Sequence, residues 1–445
     1  MINKPVLILD NGAYEIKAAF NTCNTAERVP NCITRSRDRH TYVGNQLDTC
    51  RDFAGLVYRR PHEKGLLTSW DTQKQIWDYM FYAKDTVDPT QSALLLTESP
   101  LTLRQLSSNT DQIVFEEYGF ESYYKCSASE LASWNDLSVV EASALAPTPV
   151  DCCLIVDLGY SATTVQAVIK GKVHMASFRK LDIGGKLLTN YLREIISFRH
   201  YNMMTETALI NEVKERTCFV STAFEQDMEI ANRIKSKSTA DSVLEINYVL
   251  PDYRTGTKKL GYVLEKGETK MNENLLQGMQ ILKLANERFS VPELLFSPSN
   301  ISLHQKSLPE TIIECVQNTF LEGFDSDIIQ SLLFSNIVLS GGTANTPGLV
   351  ERVQADVRKD APQDMLVKVR VGNKIDDNTN IGAESFAWHG GKRLASTEGV
   401  WNNVAVTKKE YDEYGENICF MKFNKFIDDD DDDGAEYEYE DDEFD

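Results

Sequence analysis

The amino-acid sequence predicts a large α/β fold of two or more lobes. Three observations support this prediction: a strand–turn–strand unit occurs twice, a later apolar strand ends in a glycine pair, and amphipathic helix patterns lie between them. The two units span Val6 to Phe20 and Cys152 to Ile169, and the later strand spans Asn336 to Ser340. The chain has 445 residues, of which 42% are hydrophobic, and this is enough to bury a large core.

Each of the three strands leads into a turn that contains glycine. The turns are Asp10-Asn11-Gly12, Asp157-Leu158-Gly159 and Gly341-Gly342-Thr343. Turns at strand ends expose backbone N–H groups, an arrangement suited to phosphate binding between two lobes. One Asp-x-Gly turn alone is common in ordinary hairpins, so the prediction depends on finding all three.

Helical periodicity occupies much of the sequence between these strands. Apolar residues recur three and four positions apart at Ile76, Trp77, Met80 and Phe81, and at Leu187, Leu188, Tyr191, Leu192, Ile195 and Ile196. A third helix is predicted after Pro347-Gly348, with apolar Leu349, Val350, Val353 and Val357. We interpret these stripes as core positions rather than cofactor contacts.

The acidic charge of the chain is concentrated at its C-terminus. Residues 428–445 contain 13 Asp or Glu and no Lys or Arg, and they account for most of the net charge of −21. Such a run cannot offset the entropy of ordering, so we predict a disordered acidic tail. The tail is either a solubilising segment or a polyanion that attracts basic partners such as histones.

Cysteine and histidine usage indicates neither a disulfide framework nor a metal site. The nine cysteines include no Cys-x-x-Cys pair, and the six histidines are scattered. The N-terminus lacks a signal-peptide pattern, and no apolar stretch approaches the roughly 20 residues of a membrane helix. We therefore expect a cytosolic or nuclear protein without a membrane partner.

Basic residues cluster in the N-terminal region, at Arg28, Arg35, Arg37, Arg39 and His40 and again at Arg59-Arg60. A cluster of this kind is either a solvated face or a nucleic-acid contact. The negative net charge argues against independent duplex binding, so we expect nucleic-acid contact only within an assembly.

Nine stretches spread over the chain resemble the actin family, and the similarity runs from about Leu7 to Phe423. They are Leu9–Gly12, Gly65–Asp71, Phe115–Tyr118, Leu181–Gly185, Val213–Val220, Asn286–Phe289 with Pro292-Glu293, Val338–Thr343, Trp388–Gly391 and Lys409–Glu413. The resemblance implies the two-lobed α/β fold shared by actin, Hsp70 and hexokinase-type ATPases, with duplicated mixed-sheet subdomains.

On this basis we expect residues 1–427 to form one actin-like domain, followed by the tail at 428–445. Within the domain we predict a smaller outer subdomain at about 31–68 and a second-lobe insertion at about 253–285. Only residues 31–41 separate Pro30 from Tyr42, where actin has a long loop that reaches the next protomer, so polymerisation is not expected. The insertion is either a solvated excursion or a docking surface for a partner subunit.

The resemblance also implies a nucleotide cleft, whose residues carry over position by position. They are Asp10, Asn11, Gly12, Lys17, Asp157, Gly159, Gly185, Lys214, Glu215, Gly341, Gly342 and Thr343. At the phosphate end, Ala13 and Tyr14 replace a hydroxyl residue and a glycine of actin, and Tyr160 replaces a metal-side aspartate. A phenol cannot organise Mg²⁺ and the attacking water, so we predict no catalytic residue and no metal site.

The purine end of the implied cleft also departs from actin. Thr346 corresponds to the aromatic residue that stacks on the purine, and Glu384 to a lysine at the purine edge. Elsewhere in the implied cleft, the glutamine that positions the hydrolytic water in actin would fall near Ser127. Loss of single electrostatic or positioning groups typically lowers rates by about 10²-fold or more. Hydrolysis is therefore not expected, and the cofactor stays open between ATP bound without hydrolysis and an empty or weakly occupied cleft.

Three further stretches, Gly184–Thr189, Ser197–Met204 and Tyr248–Asp252, resemble the actin-related protein 6 subfamily. This resemblance implies a non-catalytic scaffold subunit, in the nucleus and also the cytoplasm, of a SWR-type chromatin remodelling complex that exchanges a canonical histone for its Z variant and affects transcription. The implied partners are the remodeller ATPase motor, a zinc-HIT subunit, other remodeller subunits and, through the tail, histones. Two alternatives stay open: an ATP-hydrolysing actin-like or sugar-kinase-like enzyme, and a filament subunit.

Overall fold

The computed structural model describes residues 5–50, 53–83, 87–135, 137, 151–236, 244–251, 261–264, 279–376, 379–397 and 399–424. The predicted acidic tail and most of the predicted insertion lie outside the described residues. Within the described part, no helix combines the length and the apolar character that crossing a membrane requires.

The strands and helices alternate along the chain. The strands are β1 Val6–Asn11, β2 Glu15–Phe20, β3 Glu27–Pro30, β4 Ile33–Arg35, β5 Thr41–Val43, β6 Val57–Arg59, β7 His62–Glu63, β8 Leu66–Leu67, β9 Ala93–Thr97, β10 Ser122–Cys126, β11 Cys152–Leu158, β12 Thr163–Ile169, β13 Lys172–Val173, β14 Arg179–Leu181, β15 Ile246–Val249, β16 Tyr262–Leu264, β17 Ile281–Leu284, β18 Ile337–Ser340, β19 Val369–Val371, β20 Lys374–Asp376, β21 Thr379–Asn380 and β22 Val406–Thr407. The α-helices are α1 Trp70–Tyr82, α2 Arg104–Gln112, α3 Ala128–Ala132, α4 Gly185–Arg199, α5 Thr207–Thr217, α6 Phe224–Ser236, α7 Glu287–Ser290, α8 Leu308–Gln317, α9 Ser326–Ser335, α10 Leu349–Asp360, α11 Phe386–Ser396, α12 Val400–Val404, α13 Lys408–Tyr414 and α14 Glu416–Phe423.

The first lobe is built on a mixed sheet with the strand order β22-β10-β9-β1-β2-β3. Its central strand β1 is buried along its whole length, as expected for a continuous apolar run. It pairs antiparallel with β2 and parallel with β9, which in turn pairs parallel with β10. The first predicted strand–turn–strand unit is therefore confirmed as the β1–β2 hairpin.

The second lobe repeats this arrangement, with the strand order β13-β12-β11-β18-β19 and β14 paired to β12. Here β11 pairs antiparallel with β12 and parallel with β18. The second predicted unit is the β11–β12 hairpin, and the later apolar strand is β18. The prediction of a two-lobed α/β fold with duplicated mixed sheets is therefore confirmed.

Smaller sheets extend both lobes. In the region 31–68, β4 pairs with β5 and β6, and β7 pairs with β8. In the second lobe, β15 pairs with β16 and β17. The part of the predicted insertion that the structure describes takes part in this sheet: Leu282 and Leu284 of β17 are fully buried, whereas Tyr262 and Val263 of β16 are exposed.

The predicted helical stripes form the cores of the two lobes. The stripe on α1 is buried in the first lobe together with Phe115 and Trp388. Leu188, Leu192 and Ile196 of α4 lie in the core of the second lobe, and α10 adds its own apolar positions there. These helices are predictable from sequence because each buries one face of a 3.6-residue period.

Candidate functional site

A cleft of about 810 Å³ lies between the two sheets, at the carboxyl ends of β1, β9, β11 and β18. Parallel strands bring their carboxyl ends to one sheet edge, which is why residues far apart in sequence meet here. All twelve residues assigned to the cleft from the sequence line it: Asp10, Asn11, Gly12, Lys17, Asp157, Gly159, Gly185, Lys214, Glu215, Gly341, Gly342 and Thr343.

The first hairpin holds an ion pair at the floor of the cleft. Asp10 and Lys17 are opposite each other in the β1–β2 register, with Lys17 Nζ 3.3 Å from Asp10 Oδ2. The Thr97 hydroxyl donates a 2.9 Å hydrogen bond to Asp10 Oδ1. Burial alone lowers the pKa of Lys17, but the charges of Asp10 and Glu15 outweigh it, and the pKa lies above its ordinary value. Lys17 is therefore a fixed positive charge.

Asp157 at the end of β11 has an unusual protonation equilibrium. Burial, together with the nearby charge of Asp10, raises the pKa of Asp157 from 3.8 to about 6, and Lys17 offsets only part of this. The carboxyl group therefore takes up a proton at mildly acidic pH, where an ordinary aspartate stays ionised.

Two tyrosines meet between the turns of the two hairpins. The rings of Tyr14 and Tyr160 have centroids 4.9 Å apart and planes inclined by 42°. The guanidinium carbon of Arg60 lies 4.6 Å from the Tyr14 centroid and 5.0 Å from the Tyr160 centroid. Arg60 also donates hydrogen bonds to backbone carbonyls, including that of Tyr14 at 2.8 Å. We call these three residues the aromatic bridge.

The phenol of Tyr14 reaches across the cleft and contacts α5 of the second lobe. Asn211 Nδ2 donates a 3.3 Å hydrogen bond to the Tyr14 hydroxyl and a 2.7 Å bond to Glu215 Oε1. The Tyr14 side chain is 37% exposed, but desolvation by the surrounding protein and the negative charge of Glu215 raise the pKa of Tyr14 to about 12, so the phenol stays neutral. Tyr14 thus links the first hairpin to a helix of the second lobe.

The ammonium group of Lys214 is occupied by the protein itself. Its Nζ donates to the backbone carbonyl of Gly185 at 3.2 Å, to Thr189 Oγ1 at 3.0 Å and to Asn211 Oδ1 at 2.9 Å. Burial lowers the pKa of Lys214 below its ordinary value. An ammonium has three N–H donors, so all of them have acceptors without any ligand.

Two polar contacts close the cleft further out. Arg28 on β3 donates to Glu15 Oε2 at 2.8 Å and to Glu384 Oε1 at 2.9 Å. Nearer the outer rim, the backbone N–H of Gly55 donates to Glu206 Oε1 at 3.1 Å. Across the cleft the lobes are therefore joined by the aromatic bridge, the Tyr14–Asn211 hydrogen bond, the Arg28–Glu384 pair and the Gly55–Glu206 bond.

Glycines let the second turn and α4 approach closely. A Cβ on Gly184 would lie 2.6 Å from the backbone of Ala162 and Tyr160, so only glycine fits there. The N–H of Gly185 donates to Gly159 O at 3.0 Å, and the N–H of Lys186 donates to Tyr160 O at 2.8 Å. The first N–H groups of α4 are thus bonded to the turn rather than directed at an anion.

Comparison with known proteins places the chain in a family. The family model described as Actin matches residues 2–424. The chain belongs to the actin family. Its relatives include "Actin-like protein ARP6" of Yarrowia lipolytica, 45% identical over 94% of this chain and 97% of that protein. "Actin-related protein 6" of Neurospora crassa is 35% identical over 94% of both chains, and that of Drosophila melanogaster is 35% identical over 92% and 97%.

The phosphate end of the cleft does not fit the metal-bound triphosphate that the actin family implies. The family resemblance implies phosphates between the two hairpin turns, and this chain has the aromatic bridge at that place. Two buried amide oxygens that line the cleft, Asn11 Oδ1 and Gln166 Oε1, accept no hydrogen bond within the described residues. In the same part of the chain no group of three or more His, Cys, Asp or Glu could hold a metal ion.

Sequence reasoning missed the residues that join the lobes of this actin-family cleft. Arg28 and Arg60 belong to the basic clusters that were interpreted as a solvated face or a nucleic-acid contact, but the structure pairs both of them with groups of the cleft. Asn211 was not identified at all. The one sequence signal for this contact was the presence of Tyr14 and Tyr160 at positions where actin has a glycine and an aspartate. Paired aromatic rings attract a guanidinium group, so they could have pointed to an arginine between them.

Proposed function

We propose that the chain is a non-catalytic scaffold subunit of an ATP-dependent chromatin remodelling complex that exchanges a canonical histone for its Z variant and thereby affects transcription. The non-catalytic part of the proposal depends on one observation, the aromatic bridge between the two phosphate-side turns. The remodeller part is supported by relatives named actin-related protein 6 and by the subfamily-like stretches of the sequence.

The bridge gives a physical reason for a structural rather than a chemical role. Protein side chains supply contacts between the lobes that a ligand supplies in a nucleotide-dependent relative. A fold held closed in this way presents fixed surfaces to partners, which is what a scaffold requires. ATP is hydrolysed by the motor subunit in this proposal, and this chain retains at most a nucleotide without turnover.

The proposed partners are the ATPase motor, a zinc-HIT subunit, other remodeller subunits and, through the acidic tail, histones. The outer edge of the second lobe is the proposed subunit contact, because β16 exposes Tyr262 and Val263 there. Nucleic acid is contacted only within the complex. We place the protein in the nucleus and also in the cytoplasm.

Affinity isolation of the tagged native chain at moderate salt tests this proposal. We expect a large ATPase motor and a zinc-HIT protein to co-elute, and we expect histone exchange by the isolated complex to fall when the chain is depleted. Recovery of self-assembled oligomers or cytoskeletal proteins alone would show that the function is wrong although the fold is right.

A second candidate is an ATP-hydrolysing enzyme, favoured by the retained Asp10, Lys17 and Asp157. ATP turnover by the purified chain that disappears in Asp157→Ala would support it against the scaffold proposal. Light scattering under polymerising salt conditions tests the filament alternative in the same preparation, and we expect no increase.

A further inference from the structure

We propose that an outward face of α9 is a docking surface for a basic amphipathic segment of a partner protein. The surface, called the α9 face, consists of Ile328 and Leu332 on α9 and of Phe320 and Phe324 in the segment before it. Its acidic rim is Glu322, Asp325 and Asp327 at the N-terminal end of the helix. It lies on the second lobe and shares no residue with the cleft. The inference is independent of the proposed remodeller role.

The apolar members of the α9 face are unusually exposed. The exposed fractions are 57% for Phe320, 68% for Phe324, 61% for Ile328 and 46% for Leu332. A single exposed apolar side chain needs no explanation, but Ile328 and Leu332 one turn apart on α9, preceded by two exposed phenylalanines, expose apolar surface of the kind found at protein interfaces.

Packing of α9 does not account for these side chains. The helix already has a core stripe, because Leu333 and Phe334 are fully buried and Ile329 is nearly so. Ile328 and Leu332 are one turn apart, so they lie together on the outer side. Stability of the lobe therefore requires the inner stripe and not the outer one.

Phe320 and Phe324 lie in the segment between α8 and α9, whose turn is fixed by the local backbone. Gly323 has a positive φ of 81°, and the N–H of Phe324 donates to Leu321 O at 3.3 Å, which shapes the turn between α8 and α9. Asp325 caps α9 by accepting a 3.0 Å bond from the N–H of Asp327. Phe324 thus directly precedes a well-defined helix N-terminus.

Charge decides what kind of partner fits. Glu322, Asp325 and Asp327 are exposed, and within the described residues none of them forms an ion pair. An apolar centre with an acidic rim is complementary to apolar side chains flanked by Lys or Arg. The same rim repels a second copy of the α9 face and also the chain's own acidic tail at 428–445, so neither is the occupant.

Binding of synthetic peptides to the full-length chain tests the proposal. The probe is a fluorescent amphipathic helical peptide with a leucine face and lysine flanks. Two matched peptides serve as comparisons, one with glutamate flanks and one with alanine in place of leucine. We expect the leucine–lysine peptide alone to bind at physiological salt, and its affinity to fall as salt rises.

Variants then locate the site. Ile328→Ser with Leu332→Ser should weaken binding by about tenfold or more, since two branched side chains lose their buried contact. Glu322→Gln with Asp327→Asn should weaken binding by several-fold and reduce its salt dependence. Ile230→Ser, at an exposed apolar position on α6, is the control and should leave binding unchanged.

Several outcomes overturn the proposal. No binding of the leucine–lysine peptide, equal binding of the glutamate-flanked peptide, or wild-type binding by the Ile328→Ser/Leu332→Ser variant would each do so. Self-association that the same double variant abolishes would show that a second copy is the occupant. The test uses no remodeller component, so it can fail while the proposed function holds.

Discussion

Tyr14 and Tyr160 pack against each other across the cleft, with ring centroids 4.9 Å apart, although each belongs to the turn of a different lobe. Arg60 lies beside both rings, at 4.6 and 5.0 Å. An aromatic and cationic contact thus occupies the gap between the two hairpin turns, where the family resemblance implies phosphate. It makes closure of the two lobes a property of the chain itself.

A double-mutant cycle measures this contact. Tyr14→Ala and Tyr160→Ala should each lower the free energy of unfolding, and the double variant should lose less than their sum, with a coupling of about 0.5–1.5 kcal/mol. Urea titrations provide the measurement. Phe198→Ala, at a side chain that is 92% exposed, should change stability by less than about 0.5 kcal/mol. Additive losses would contradict a direct cross-lobe interaction.

Opening the bridge should improve nucleotide binding. The double variant Tyr14→Gly/Tyr160→Asp removes both rings. The glycine lets the backbone of the first turn come close to a phosphate, and the aspartate places a carboxylate in the second turn. We expect the dissociation constant for Mg-ATP to fall by about tenfold or more, measured by titration calorimetry. The same affinity in wild type and variant would show that the rings do not obstruct the cleft.

Protonation of Asp157 should make stability depend on pH. Its pKa is about 6 in the folded chain and 3.8 as the ordinary value, so between those values only the unfolded chain releases the proton. Folding stability therefore falls as pH rises through this window.

Asp157→Asn removes this effect. The variant should be more stable than wild type by about 3 kcal/mol above pH 6, and the difference should vanish near pH 4. Urea titrations at both pH values measure it, with Asp360→Asn at the exposed end of α10 as the control. A difference that does not change with pH would contradict the assignment.

The Trp-His-Gly-Gly stretch at 388–391 has a packing reason. A Cβ on Gly390 would overlap the carbonyl oxygen of Leu131, because α11 and α3 touch backbone to backbone. Gly390→Ala should therefore cost about 3 kcal/mol or more of unfolding free energy. Thermal melts of the two variants provide the measurement. Gly342→Ala, where a Cβ meets nothing within 4 Å, is the control and should lower the unfolding free energy far less. Equal melting temperatures would show that the helices separate easily.

Removal of residues 428–445 tests the acidic tail. These residues hold 13 of the chain's acidic groups, so truncation should weaken binding of histone dimers, whether canonical or containing the Z variant. The difference should shrink as salt is raised, because exposed charges are screened. Fluorescence anisotropy of labelled dimers provides the measurement. Equal affinities at low salt would leave the tail as a solubilising segment only.

Local patterns in the sequence determined the two central hairpins, the strand β18 and three of the helices. The β1–β2 and β11–β12 hairpins and the stripes on α1, α4 and α10 follow from periodicities of two and 3.6 residues, which depend on near neighbours only. The cleft residues followed from the family resemblance. The fold brings them together because the strands that lead into them end at the same sheet edge.

Only the tertiary structure decided what closes the cleft and which surfaces stay open. Arg28 and Arg60 were predicted as members of basic clusters, but folding places them beside Glu384 and the Tyr14–Tyr160 pair. No local pattern marks such partners, since they come from different lobes and meet only when the two sheets pack. The outer apolar positions of α9 were likewise indistinguishable from core in sequence, because exposure depends on what the rest of the fold covers.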